Sequence, residues 1–76
     1  MNARRRKELG RLNGEIEMII ADLEELRDQE QEAFDNLPES LQYSEKGEKM
    51  EEVINYLDDA IVSIEDTISN IQEAIE

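Results

Sequence analysis

Seventy-six residues with neither cysteine nor histidine leave no disulfide, no thiolate or imidazole metal site and no histidine for acid–base work. A formal charge of −13 has the wrong sign for a free-standing nucleic-acid binder. Only Phe34, Tyr43 and Tyr56 are aromatic, and Ile, Leu and Met carry most of the apolar mass, which argues against a sandwich or barrel and for helix–helix seams.

The chain opens on Arg4-Arg5-Arg6-Lys7. With Arg11, and against Glu8, residues 1–11 carry a net +4, which leaves −17 on residues 12–76, where 20 acids meet only Arg27, Lys46 and Lys49. The basic start is like the front of an export signal, but no unbroken apolar stretch follows it and no membrane-length span occurs. The expectation is a soluble protein in the cytoplasm of a bacterial host cell, with no membrane partner and no direct nucleic-acid ligand.

From Leu9 the apolar positions run Leu9, Leu12, Ile16, Ile19, Leu23, Leu26, then Glu30, Ala33 and Leu37. The steps alternate three and four, an a/d heptad with Leu9 at a and Leu12 at d, broken only by Glu30. Glu30 reads as a snorkelling side chain or a register mark. Ile20 and Phe34 widen the stripe at position e. The pattern predicts helix 1 over about residues 3–34. Gly10 and Gly14 fall on the outer b and f positions, where the first turns fray or another chain comes close.

Residues 35–44 hold the one strong breaker, Pro38, which removes a hydrogen bond and clashes inside a helix but can open a short helical turn through Glu39, Ser40 and Leu41. Phe34, Leu37, Leu41 and Tyr43 gather here, either plugging the end of the core or anchoring a partner. Ser44 is the N-cap expected for a second helix over about residues 45–75.

In that helix Met50, Ile54, Leu57, Ile61, Ile64, Ile68, Ile71 and Ile75 alternate four and three, with Ile54 at a. Val53, Ala60, Thr67 and Ala74 lie beside them at g. The face is about three positions wide in seven, more than one neighbouring helix covers.

Two long helices joined by about ten residues predict an all-α, coiled-coil-like antiparallel hairpin forming one domain over residues 1–76. That topology brings the basic start beside the acidic end at Glu65, Asp66, Glu73 and Glu76. So small a chain, with no covalent or metal staple, is expected to pack against a second copy as a four-helix bundle, or against a larger protein. The expected self-association seam is Ile16, Ile19, Leu23, Leu26, Leu57, Ile61, Ile64, Ile68 and Ile71.

No catalytic, cofactor or metal residue is assigned. The adjacent acids Glu24-Glu25, Glu51-Glu52 and Asp58-Asp59 point about 100° apart on a helix and cannot clamp one atom. Carboxylate di-metal bundles need Glu-x-x-His, and neither a phosphate loop nor a calcium loop is present. A non-enzymatic, self-associating interaction protein is the first expectation. The alternative is an acidic inhibitor or DNA mimic, in which Glu51, Glu52, Asp58, Asp59, Glu65 and Asp66 occupy the groove of a basic nucleic-acid-binding protein.

The segment Asp35-Asn36-Leu37-Pro38-Glu39-Ser40-Leu41-Gln42, followed by Ser44-Glu45-Lys46-Gly47-Glu48-Lys49-Met50-Glu51, resembles small acidic helical hypothetical proteins of phages and integrative elements in Gram-positive bacteria. With the basic start and the Ile/Leu/Glu-rich tail, the likeness spans nearly the whole chain. It brings no site residue. It implies an accessory protein of a mobile element, including one that blocks a host defence or nucleic-acid enzyme.

Overall fold

A computed structural model describes residues 1–76 as three helices, α1 (Ala3–Asp35), α2 (Glu39–Gln42) and α3 (Glu45–Ile75), with no strand. α1 and α3 lie side by side in a rod 58 × 15 × 12 Å. Their direction follows from two bonds across the pair. Asn13 Nδ2 donates to the Ile68 carbonyl at 3.2 Å, and Arg27 Nη1 donates to Asp58 Oδ1 at 3.1 Å, so early α1 meets late α3.

Local chemistry sets the helix ends. Asn2 caps α1, its Oδ1 accepting from the Arg5 N–H at 2.8 Å. At the far end the Asn36 N–H still reaches the Glu32 carbonyl at 3.0 Å, and Pro38, extended at ψ 144°, stops any continuation. The Leu41 and Gln42 N–H groups then donate back to the Pro38 carbonyl, making the single turn of α2. Ser44 caps α3, its Oγ accepting from the Gly47 N–H at 3.4 Å and donating to the Leu41 carbonyl.

The turn is cross-braced. The Gln42 carboxamide donates to the carbonyls of Phe34 (3.3 Å), in the last turn of α1, and of Leu37 (3.2 Å), in the link that follows. Gly47 is buried directly beneath the Gln42 carbonyl.

On α3 all eight a and d residues, Met50 to Ile75, are buried or half-buried, with Ile54 and Ile61 the most enclosed. On α1 the covered residues are Leu9, Asn13, Ile16, Ile20, Leu23, Arg27, Glu30 and Phe34. These are positions a and e, so α1 is rolled away from the expected a/d stripe. The cause lies at the turn, where Gln42 clamps the carbonyls of Phe34 and Leu37. Phe34, which has far more apolar surface to bury than Ala33, faces α3. A long helix carries that roll along its length to Asn13.

Candidate interaction surface

The roll of α1 decides what the rod shows to solvent. The d column, about 60° round the helix from a, is left outside. Leu12 is 37% exposed, Ile19 51% and Leu26 55%; Met18, beyond the Glu15 and Asp22 column, is also exposed. The covered e column contains Asn13 and Arg27, so the hairpin shelters its less apolar column and leaves out the more apolar one.

Arg27 and Asp58 both occupy position e, and their bond shows that the e sides of the two helices share one flank of the rod. The opposite flank must then join the d column of α1 to the g column of α3, which is Val53, Ala60, Thr67 and Ala74. Next to that g column stand Tyr56, Ser63 and Asn70. From Val53 to Ala74 this edge of α3 carries no charge, in a chain whose residues are 38% charged. The result is a flank with large aliphatic side chains on one helix and, apart from Val53 and Tyr56, small uncharged ones on the other.

The e flank has the reverse character. Glu51, Asp58 and Glu65 form one column of α3, and Glu52, Asp59 and Asp66 the next. α1 adds Glu17, Glu24 and Asp28 on the same side. Of the six α3 acids only Asp58 has a cationic partner, Arg27, which also reaches Asp28 Oδ1 at 3.2 Å. These two carboxylates hold the Arg27 guanidinium above its ordinary value, Asp58 contributing first through its hydrogen bond. Nowhere do three carboxylates converge as a metal ion would require.

The residues expected to form the self-association seam divide in two. Ile16, Leu23, Leu57, Ile61, Ile64, Ile68 and Ile71 are covered within the single hairpin, while Ile19 and Leu26 point outward. At the turn, Phe34 and Leu37 are half-buried, whereas Leu41 is exposed and Tyr43 is 79% exposed. The first pair closes the end of the core and the second pair stands clear of it.

The basic start lies at the end of the rod shared with late α3, as the topology predicts, but forms no ion pair with it. All four ion pairs of the chain involve Arg11 or Arg27, and none involves Arg4, Arg5, Arg6 or Lys7. Arg11 instead bonds Glu8 (2.5 Å) and Glu15 (2.6 Å) on its own helix. The Arg11 hydrogen bond and charge lower the Glu8 carboxyl below its ordinary value.

Two residues gained no role from the sequence pattern. Asn13 is only 6% exposed, and while its Nδ2 is bonded, its Oδ1 has no partner. Gly47 sits where no side chain fits. A polar residue one step beside an apolar column hints at the first, and a glycine three residues after an N-cap hints at the second.

No helix is long and apolar enough to cross a membrane. No protein-family model, curated protein or solved structure matches the chain.

Proposed function

We propose that this chain is a non-enzymatic interaction module that associates with a second copy of itself through the flank carrying Leu12, Ile19 and Leu26. The observation behind this reading is that the hairpin leaves its more apolar α1 column in solvent, beside an α3 edge free of charge. Apolar surface of this extent on a thin rod gains free energy by being covered, about 25 cal/mol per Å². The α3 edge of this flank carries no acid, so copies of a −13 chain meet there with less repulsion than on the opposite flank.

Sedimentation equilibrium tests the reading. The wild type should give twice the chain mass of 8.8 kDa. The double variant Ile19→Glu, Leu26→Glu should stay helical and give the single mass. A wild type that remains single at a hundred micromolar would sink the proposal.

The paired acidic columns on the opposite flank support a second reading, blockade of a basic groove on a host defence or nucleic-acid-binding protein. There Asp59→Lys with Asp66→Lys should abolish capture of such a protein from nuclease-treated lysate, along with its release near 0.5 M salt. Capture unaffected by the swap would remove this reading. A phage or integrative-element setting rests on the resemblance alone, which is carried chiefly by the turn at residues 35–42.

A further inference from the structure

We infer that the second copy lies with its two-fold axis along the rod, so that both turns are at one end and α1 of each copy packs on α3 of the other. The inference rests on the self-association proposed above and adds its geometry.

Two face-to-face arrangements bring the same flank of two hairpins together. With the axis along the rod, α1 stacks on the partner's α3. With the axis across the rod, the turns lie at opposite ends, α1 stacks on α1 and α3 on α3.

Side-chain size separates the two. α1 offers Leu12, Ile19 and Leu26, and α3 offers Val53, Ala60, Thr67 and Ala74, of which Val53 alone is a sizeable aliphatic. Stacking α1 on α3 sets large against small along both halves of the interface and fills it evenly. The crossed arrangement sets large on large and small on small. One half would be propped open and the other left with voids, which close-packed interiors do not tolerate.

Charge points the same way. Glu8, Glu15 and Asp22 border the apolar column of α1 on its outer side. In the crossed arrangement this acidic edge faces its own copy. In the axial arrangement it faces the outer edge of the partner's α3, where Tyr56, Ser63 and Asn70 are uncharged and Ser63 and Asn70 can donate hydrogen bonds. The axial arrangement also brings Arg4–Lys7, which have no ion pair within their own hairpin, beside the acidic last turns of the partner's α3 at Glu73 and Glu76.

The chain has no cysteine, so one introduced thiol takes one spin label. Tyr43→Cys labels the exposed turn, and the distance between labels is read by electron–electron double resonance. Glu73→Cys, at the other end of the rod, gives an independent reading. Stacked helices 8–10 Å apart put labels at one end within roughly 30 Å of each other, for either variant. Distances near the rod length of 58 Å for both variants would overturn the arrangement while leaving self-association intact. A single-chain mass in the same sample would overturn self-association and this geometry with it.

Discussion

A Cβ atom placed on Gly47 would lie 2.1 Å from the backbone carbonyl oxygen of Gln42. No rotamer relieves that approach, because the obstacle is backbone. Gly47→Ala should therefore cost about 2 kcal/mol or more, the scale of overpacking. For a chain of this size that is a fall of roughly 10 °C in Tm, followed by circular dichroism. Gly10 and Gly14 have nothing within 4 Å of the same position, so Ala there should add about 0.5–1 kcal/mol each. A Gly47 variant as stable as the wild type would show that the turn is not pinned at this point.

The Gln42 carboxamide serves two carbonyls at once, Phe34 in α1 and Leu37 just beyond it. Gln42→Ala should lose about 1 kcal/mol in urea unfolding, the net value of a hydrogen bond. Gln42→Glu should lose more at neutral pH, since a carboxylate has no proton to donate and repels the same carbonyl oxygens. Equal losses in the two variants would mean that the side chain acts by packing alone.

Asn13 holds a buried oxygen without a partner, a penalty of about 1–3 kcal/mol. Asn13→Leu should raise the unfolding free energy by about that amount. Its bond to Ile68 ties one height of α1 to one height of α3, and polar seam residues of this kind trade stability for register. The same variant should accordingly show a broader spread of sedimenting species. A less stable variant would show that the single amide bond outweighs the orphaned oxygen.

The lowered Glu8 carboxyl has a pH signature. A depressed folded value means that the stabilisation is present at neutral pH and is lost as the pH falls through that value. Glu8→Gln should melt slightly below the wild type at pH 7. The two curves should converge as the pH is taken below the ordinary 4.5 and through the lowered value. Both side chains are more than half exposed, so the difference should shrink in salt. A gap that persisted at low pH would have some cause other than the carboxylate charge.

The paired long helices could be read from periodicity because Ile and Leu recur on α3 at steps that only one face satisfies. α1 is ambiguous for a physical reason. Its a column is shared by two candidate stripes, and hydropathy prefers Leu12, Ile19, Leu26 and Ala33 to Asn13, Ile20, Arg27 and Phe34. The hairpin takes the second set, since Arg27 finds Asp58, Asn13 finds a carbonyl and Phe34 outweighs Ala33 at the turn. Partners of that kind are set in three dimensions and leave no periodic trace. The clamp by Gln42 and the tight seat of Gly47 were equally hidden, because both depend on how closely two backbones pass.

The braced turn also sets how the rod comes apart. Gln42 bonds a residue 8 positions away, whereas Asn13 and Ile68 are 55 apart, and closing a longer loop costs more entropy. Contacts should accordingly form first at the turn and spread outward rung by rung. A force drawing residues 3 and 75 apart meets the same ladder in reverse. It loads one rung at a time, as in unzipping, so the rod should open at low force, and amide exchange should be slowest beside Gly47.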